Sequence, residues 1–465
     1  MPLTTVMARQ LDRQIRDIKA GRGKGSVADL HAWYRQFGQQ LKDIELREVR
    51  SVLGIELSLN EMPFRELVPA GWLHDVLALY REAESPASFF FLSALSVLSQ
   101  GIGRKVMIDR GNHTLGLDVS TLLISPAGTG RRSTACDSVV YGLADPAGVN
   151  IIADSFTYEA MGDALVESAG LKKIPPSGRI PSAHALIYAG EMSTLLGKGS
   201  YGDSIIPKLT DIIGKTSRFE WRTVKRGKLI FTSPMVNACF TSSPDWLIEN
   251  LPPIVFGGGM LSRFLMSVED GSEQTVTWAK PIDVNAKASC IARLAQVCST
   301  AGTFNAPTGT AFNWYDKWYQ NNQLRIKNGE YPDERMVPYL ARKHDHLLRL
   351  AALLAIANGD ALAFTELRFQ QALQIIDWLE GGIPQAYSKM AQSPMVAAQK
   401  AMCRALERNN GMMEHSKLQR RMYRFTPLSS QFQMVVQSLI DMKCIRAAKT
   451  LTGRGTTYTL LKELE

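Results

Sequence analysis

A glycine-rich segment between a predicted strand and a predicted helix is the strongest candidate for chemistry in this sequence. The apolar run that ends at Ile124 leads into SPAGTGRRST at residues 125–134, and an apolar helical pattern begins at Ala135. A turn of this kind directs backbone N–H groups and a helix N-terminus at an anion, which is the arrangement that binds phosphate. A chance glycine-rich turn is the alternative, but the strand before it and the helix after it favour a nucleotide site.

The segment departs from the common phosphate-binding pattern GxxxxGK[ST] in three ways. Ser125 replaces the first glycine, no lysine is present, and one extra residue precedes the pair of hydroxyl side chains. Either Arg131 or Arg132 must therefore supply the cation, as a planar guanidinium that is larger than a lysine ammonium. The residues predicted to contact the nucleotide are Gly128, Thr129, Gly130, Arg131, Arg132, Ser133 and Thr134.

A carboxylate at the end of a second predicted strand is the candidate catalytic group. The strand at 185–188 is followed closely by Gly190 and Glu191. Where such a strand ends in Asp-Glu, the aspartate holds a metal ion and the glutamate polarises the attacking water. Here a glycine stands in place of the aspartate. Glu191 is predicted to orient water, and Ser133 or Thr134, with bound water, to hold Mg²⁺ beside ATP. A solvent-facing glutamate is the alternative.

The composition is that of an ordinary globular chain with two or three domains. The 465 residues are 45% hydrophobic and 21% charged, as in average folded proteins. Phe89 to Ile102 is the most apolar stretch, but it is too short and too rich in serine to cross a bilayer, so we expect a buried helix and no membrane partner. The first residues lack a secretory pattern, which predicts a cytoplasmic protein. The six cysteines form no CxxC pair, so no zinc site or disulfide framework is predicted. His344 and His346 are predicted to be solvated or capping residues and not metal ligands.

The pattern changes along the chain in a way that predicts four regions. Residues 1–62 are predicted to be helical, and residues 63–284 alternate short apolar runs with helical patterns, which is typical of an α/β sheet domain. Residues 285–391 are almost entirely helical in pattern. Residues 395–465 are predicted to form three helices and a β-ribbon.

The C-terminal region resembles a winged-helix domain in this order of elements. From Met395 to Glu465 there are twelve Lys and Arg against five Asp and Glu, so +7 of the net charge of +9 lies there. That excess favours contact with nucleic acid phosphates, although winged-helix domains also serve as protein docking units. The candidate contacts are Lys417, Arg420, Arg421, Arg424, Lys449 and Arg454.

Further motifs point to a family. A predicted hairpin with a basic tip at 221–230 precedes a buried strand that ends in TSSPDWL, and GGGMLSRFL follows from Gly257. Together with the apolar lead-in from Pro86 and HLLRLAALLA from His346, the span from about residue 63 to 354 resembles a family of phage- and plasmid-borne AAA+ ATPases found beside primase modules, which are related to the minichromosome maintenance helicases. The resemblance implies an α/β AAA+ (P-loop) core at 63–284 and a helical lid at 285–391.

The resemblance also implies roles for individual residues. Arg263 matches the arginine finger, which stabilises the γ-phosphate held by a neighbouring subunit. The strand end at Thr241, Ser242 and Ser243 matches the γ-phosphate sensor, with Ser242 as the nucleotide contact. Arg342 or Arg349 matches the second sensor, and the surrounding sequence favours Arg349. The pore hairpin that grips a nucleic acid strand is matched by Lys225, Arg226 and Lys228.

The predicted function is an ATP-dependent, ring-forming DNA translocase or helicase that acts in the replication of a mobile genetic element. A hexameric ring is expected, with single-stranded DNA in its central pore and with primase or other replication proteins as partners. The missing lysine and aspartate keep a second hypothesis open, a hydrolysis-poor, nucleotide-binding initiator or scaffold on DNA. A third is a DNA-binding regulator with a vestigial ATPase core.

Overall fold

The computed structural model describes residues 62–153, 158–196, 200–215, 217–223, 227–250, 259–331, 333–384, 394–409, 411–449 and 455–461. The helical region predicted for residues 1–62 therefore lies almost entirely outside the described residues, as do Lys225, Arg226 and Arg454. Among the residues that are described, no helix is both long enough and apolar enough to span a membrane.

The described strands form one five-stranded parallel sheet and three smaller sheets of three strands each. The strands are β1 (Val106–Asp109), β2 (Thr114–Gly116), β3 (Ser120–Ile124), β4 (Ile151–Ala153), β5 (Arg179–Pro181), β6 (His184–Ala189), β7 (Arg218–Thr223), β8 (Gly227–Thr232), β9 (Met235–Ser242), β10 (Phe264–Val268), β11 (Gly302–Phe304), β12 (Met412–Glu414), β13 (Ile445–Lys449) and β14 (Thr456–Leu460).

The α-helices alternate with the strands in the first half of the described chain and dominate the second half. They are α1 (Phe64–Leu67), α2 (Trp72–Leu79), α3 (Ala87–Ile102), α4 (Arg132–Val139), α5 (Tyr158–Ser168), α6 (Met192–Leu196), α7 (Ser200–Ile212), α8 (Pro244–Asn250), α9 (Val284–Cys298), α10 (Gly309–Lys327), α11 (Val337–Asn358), α12 (Glu366–Glu380), α13 (Pro394–Glu407), α14 (His415–Met422) and α15 (Ser429–Asp441).

The parallel sheet has the strand order β10-β3-β9-β6-β4 and is buried on both faces. All residues of β3 and of β9 are buried, as expected for central strands of a parallel sheet that helices cover on each side. Successive side chains enter different cores, so that Leu123 packs in one and Leu122 and Ile124 in the other. The α/β class predicted for this region is confirmed.

One face of the sheet is covered by α3, which is buried around nearly its whole circumference. The prediction of a buried helix at 89–102 is thus confirmed, and an all-round apolar helix is what such a position requires. Its serines are hydrogen-bonded inside the core. Ser99 Oγ donates to Leu117 O at 2.6 Å and accepts from Val119 N and Asn237 Nδ2. One hydroxyl therefore ties α3 to the segment before β3 and to β9.

The helices of residues 285–391 pack into the same core as α3. The Leu, Ala and Ile side chains of residues 347–357 of α11, and Phe369, Ile375 and Ile376 of α12, are buried in the cluster that contains the α3 side chains. In addition, β11 pairs in parallel with β1. The boundary predicted at 284/285 therefore falls within one hydrophobic core.

A hairpin of β7 and β8 lies beside the second face of the sheet. The two strands are antiparallel, with Thr223 opposite Gly227 as the pair nearest their connection, which confirms the predicted hairpin. Trp221 and Phe231 are buried in the core of that face. The chain then enters β9 at Met235, so the hairpin directly precedes the strand that ends at Ser242.

The C-terminal residues form a module with a core of its own. The order is α13, β12, α14, α15, β13, β14, and β14 pairs antiparallel with both β12 and β13. Leu418, Phe432 and Leu439 are central to its core. The three predicted helices and the ribbon are present, and the short strand β12 adds a third strand that the sequence pattern did not indicate.

Candidate functional site

The crossing connections of the parallel sheet create a crevice at the carboxyl ends of β3 and β9. From β3 the chain crosses to the far strand β4, whereas from β9 it crosses in the opposite direction to β10. The helix after β3 packs on one face of the sheet, and the connection after β9 packs on the other. Neighbouring strands whose connections diverge in this way form the usual ligand site of an open α/β sheet.

The glycine-rich loop lies at this crevice, between β3 and the N-terminus of α4. Gly128 is exposed and has φ +78°, a conformation that favours glycine. Gly130 is buried, and a Cβ there would collide with the side chain of Ser125. Arg131 takes the left-handed conformation at φ 47° and ends the turn. The loop therefore folds back on itself and delivers the chain to the first turn of α4, where unpaired backbone N–H groups face outward.

Arg132 is the cation at the centre of the crevice. Its side chain is 8% exposed, and its Nη1 donates to the carbonyl oxygens of Ser125 and Ser242. Its Nη2 lies 3.1 Å from Glu191 Oε2. Burial lowers the pKa of Arg132, and Glu191 opposes that effect, but a guanidinium remains charged at any physiological pH. One side chain thus connects the ends of β3 and β9 with the carboxylate that follows β6.

Arg131, the other candidate cation, points away from the crevice. Its guanidinium pairs with Glu84, and its carbonyl oxygen accepts a hydrogen bond from Ser85 Oγ at 3.1 Å. Its side chain is 52% exposed. The sequence left Arg131 and Arg132 as equal alternatives, and the structure places only Arg132 beside Glu191.

Glu191 lies at the start of α6, where the carboxyl end of β6 meets the crevice. Its side chain is about one third exposed, and burial raises its pKa although Arg132 acts in the other direction. Its backbone oxygen accepts from Thr194 N and Oγ1. The carboxylate is thus held by its partner Arg132, so its accessibility to a water molecule depends on where that guanidinium sits.

Tyr188 lies close to position 190, where glycine stands in place of the expected aspartate. A Cβ built on Gly190 would lie 3.0 Å from Tyr188 Oη and 3.8 Å from Ser133 Cβ, so a larger residue would meet the tyrosine hydroxyl. That hydroxyl donates to Asp137 Oδ1 at 2.5 Å, and burial raises the pKa of Tyr188. Neither Tyr188 nor Asp137 was predicted as a site residue from the sequence pattern. The available signal was that Tyr188 and Gly190, two residues apart, share one face of the strand.

Ser242 contributes its backbone to the site. Its carbonyl oxygen accepts from Arg132 and from Ser125 N, while its hydroxyl donates to Ser243 O at 3.4 Å. The neighbouring Thr241 Oγ1 donates to Gly190 O at 2.6 Å. The predicted sensor strand end therefore lies at the crevice, and the Thr241 side chain joins β9 to the end of β6.

The hydroxyls of Ser133 and Thr134 lie exposed in the first turn of α4. Ser133 lies next to Gly190 at the end of β6. Hydroxyl and carboxylate oxygens supplemented by water are donors that suit Mg²⁺, so these residues fit the predicted ion. Within the described residues, no group of three or more His, Cys, Asp or Glu side chains is placed to hold a metal by itself.

The predicted arginine finger and second sensor lie at the amino ends of the strands, opposite the crevice. Arg263 immediately precedes β10, whose first residue is in register with Ser120, the first residue of β3. Arg349 Nε donates to Gly116 O at 3.0 Å, and Gly116 lies shortly before the first residue of β3. The five residues of β3, at roughly 3.3 Å per residue, separate this amino end of the sheet from the loop. Neither arginine can therefore reach the loop of its own chain.

Arg263, Arg342 and Arg349 form a group of like charges near the amino ends of the strands. Burial lowers the pKa of Arg263, and Arg342 and Arg349 lower it further, while Asp211 opposes them. Arg263 is anchored by a hydrogen bond from Nη1 to Gly259 O. Asp211 attracts Arg263, and Asp118 and Asp345 attract Arg349, so carboxylates of the same chain partly neutralise this group.

His346 supports the turn that carries Arg263. It is buried, not solvated or capping as predicted, and its Nε2 donates to Ser262 O at 3.0 Å. Burial lowers the pKa of His346 to about 4. The ring is therefore neutral in the folded protein at physiological pH, and its protonation would place a charge inside the core.

This shift makes folding sensitive to acid. Because the folded-state pKa lies below the ordinary value of 6.5, the unfolded chain takes up the proton first, and stability should fall between pH 6.5 and about 4. We expect His346→Gln, which keeps a donor but cannot titrate, to reduce this loss of unfolding free energy by on the order of 3 kcal/mol. Urea unfolding at several pH values measures the effect. His113→Gln, at an exposed histidine, is the control and should leave the pH profile unchanged. An identical pH profile for wild type and His346→Gln would contradict the prediction.

The candidate nucleic acid contacts are only partly described. Lys228 lies at the start of β8, and its Nζ pairs with Glu220 Oε2 at 2.8 Å. Lys225 and Arg226 at the hairpin tip, and Arg454, lie outside the described residues. Lys417, Arg420 and Arg421 are all exposed on α14, at the far end of the chain from the loop.

Comparison with known proteins adds no family assignment. No protein-family model matches this chain, and no curated protein matches it. The chemistry of the crevice is therefore inferred from its geometry.

Proposed function

We propose that this protein is an AAA+ P-loop ATPase that assembles into a ring and moves along single-stranded DNA during the replication of a mobile genetic element. The observation that carries the proposal is the position of Arg132, which joins the loop, the end of β9 and Glu191 at the crevice of a parallel sheet. A buried cation beside free helix N–H groups is a site for a polyanion.

In the proposed reaction, the loop N–H groups and Arg132 bind the phosphates of ATP. A phosphate oxygen competes with Glu191 for the guanidinium, because both are anions within reach of the same donors. Nucleotide binding then frees the Glu191 carboxylate to orient the attacking water. Ser133 and Thr134 would hold Mg²⁺, which neutralises charge on the phosphate oxygens when bound.

A second copy of the chain would complete the site. Arg263 lies at the amino ends of the strands, near Arg342 and Arg349, whereas its own loop lies at the carboxyl ends. An arginine finger must come from the neighbouring subunit in that arrangement, and a ring supplies each loop with such a neighbour. This is the support for a closed oligomer, for which a hexamer is the expected size.

The proposed DNA contacts lie on two parts of the chain. The β7–β8 hairpin precedes the strand of Ser242, so movement of that strand on ATP hydrolysis would be passed to the hairpin tip. The C-terminal module has the element order of a winged-helix domain, with an exposed basic helix, α14. Both contacts would act through phosphate, which is sequence-tolerant and weakens with salt.

The test is nucleotide affinity, measured by titrating a fluorescent ATP analogue into the purified protein with magnesium. Charge-assisted hydrogen bonds contribute about 1.5–3 kcal/mol, so Arg132→Ala should weaken binding by about 10- to 150-fold. The neighbouring Arg131→Ala should cause little change, because that side chain faces Glu84. Thermal unfolding of both variants shows whether the fold is intact. Absence of binding by the wild type would overturn the proposal.

An initiator or scaffold that binds ATP but hydrolyses it poorly is the second candidate. The observation that favours it is the combination of a glycine at position 190, next to the Tyr188 hydroxyl, and Glu191 held by Arg132. Nucleotide-dependent assembly without measurable turnover, with or without DNA, would favour this candidate over the motor.

A further inference from the structure

The second helix of the C-terminal module and the turn after it carry a surface of cations and aromatic rings, which we name the α14 surface. Leu418 and Met422 turn inward and are buried. On the other side of the helix, residues three and four apart are neighbours. The α14 surface consists of Lys417, Arg420, Arg421, Tyr423, Arg424 and Phe425, all of which are exposed.

The cations of the α14 surface are available to a partner. In the part of the chain that the structure describes, Lys417, Arg420, Arg421 and Arg424 form no ion pair. Lys228 of the hairpin, in contrast, is paired with Glu220. Four unneutralised cations on one short segment create a field that attracts a polyanion.

The two rings are exposed although the module has an apolar core of its own. Tyr423 is 68% exposed and Phe425 is 45% exposed. They alternate with Arg421 and Arg424 in the sequence, so rings and guanidinium groups are interleaved. Stacking on unpaired bases uses aromatic faces, and the phosphates of the same strand use the cations. Bases inside a duplex do not offer their faces.

The third helix, α15, carries no cation of its own. Its sequence from Ser429 to Asp441 contains no lysine or arginine, and it presents Gln433, Met434 and Gln437 to solvent. A helix docked in the major groove of a duplex is normally held by phosphate contacts from its own ends and its flanks. Four exposed cations lie together on α14 and the turn after it, whereas the cations next to α15, Lys443, Arg446 and Lys449, lie after its end and along β13.

We infer that the α14 surface binds an unpaired nucleic acid strand, with phosphates on its cations and bases stacked on Tyr423 and Phe425. The inference rests on the nucleic acid part of the proposed function and is independent of ATP. It assigns the module to single-stranded DNA or to the open strand at a fork, and it assigns the contact to the second helix and not to the third.

The experiment compares the full chain and its variants by fluorescence anisotropy, without nucleotide, on a labelled oligothymidine and on a labelled duplex of equal length. Replacing both rings, Tyr423→Ala with Phe425→Ala, should weaken oligothymidine binding by about 10-fold or more. Tyr423→Phe should bind like the wild type, because the ring is kept. Arg420→Ala with Arg421→Ala should reduce the salt dependence of single-strand binding by about 0.7 per lost phosphate contact.

The matched control is Gln433→Ala with Met434→Ala on α15, which should leave oligothymidine binding unchanged. Equal losses on oligothymidine and duplex after ring removal would overturn the inference, as would a larger loss from the α15 variant. Unchanged oligothymidine affinity without the rings would also overturn it and would indicate a protein docking surface. ATP affinity of the ring variant reports on the nucleotide site separately, so that failure of either proposal can be recognised.

Discussion

Replacing Arg263 with alanine is expected to reduce DNA-stimulated ATP turnover by about 1,000-fold or more, the range in which an arginine finger acts. Nucleotide affinity should change little, because Arg263 lies at the amino ends of the strands, and the loop of its own chain lies at their carboxyl ends. Its effect should therefore appear in the chemical step and not in ground-state binding. Turnover is measured at saturating ATP, with and without single-stranded DNA, for the wild type and the variant.

Mixing variants distinguishes a finger that acts between subunits from an arginine that only supports its turn. Arg263→Ala subunits retain an intact loop, and Arg132→Ala subunits retain an intact Arg263. If both are inactive alone, a mixture should regain part of the turnover, because some interfaces then combine both intact groups. No recovery in a mixture that assembles would contradict the proposed shared site. Arg293→Ala, which removes an arginine paired with Asp75, is the control and should retain turnover.

Replacing Lys343 with alanine is expected to destabilise the fold by about 3–5 kcal/mol, as when one partner of a buried ion pair is removed. Lys343 Nζ lies 2.6 Å from Asp377 Oδ1 and 2.5 Å from Glu380 Oε2, and its side chain is 8% exposed. Burial raises the pKa of Glu380 to about 7 even with the lysine present. Without it, α11 and α12 would enclose a carboxylate that has lost its counter-charge.

The sign of the pH dependence follows from Glu380. Its folded-state pKa is raised above the ordinary 4.5, so its contribution to stability is present below pH 4.5 and is lost as pH rises through about 7. The penalty of Lys343→Ala should thus be larger at pH 8 than at pH 5, as measured by urea unfolding. Adding Glu380→Gln should recover much of the loss. Lys280→Ala, at an exposed pair with Glu82, is the control and should have no measurable effect. A penalty that does not depend on pH would contradict this account.

Local patterns in the sequence were sufficient for the elements around the site. The apolar runs at 120–124 and 235–240 predicted the two strands that meet at the crevice, and the buried helix at 89–102 followed from its length and serine content. The hairpin before β9 was also predicted from its basic tip and flanking apolar residues. These features depend on hydrophobic periodicity, which is local information.

The remaining features depend on contacts between distant parts of the chain. Arg131 and Arg132 are adjacent and chemically identical, and only the turn conformation decides which one meets Glu191. The buried state of His346 depends on Ser262, some eighty residues earlier in the chain. The hydrogen bond from Tyr188 to Asp137 likewise joins residues that are 51 positions apart. No periodicity encodes such tertiary contacts, so they cannot be predicted from the pattern of one sequence.

The shared interior of α3, α11 and α12 has a consequence for how force would be produced. Helices that interlock with a sheet through close-packed side chains cannot swing independently of it, because protein interiors are dense and have few voids. Nucleotide-driven motion in the proposed motor would therefore displace the sheet and its helices as one rigid body against the adjacent subunit. The working stroke would then take place at the boundary between copies, where the Arg263 edge of one faces the loop of the next.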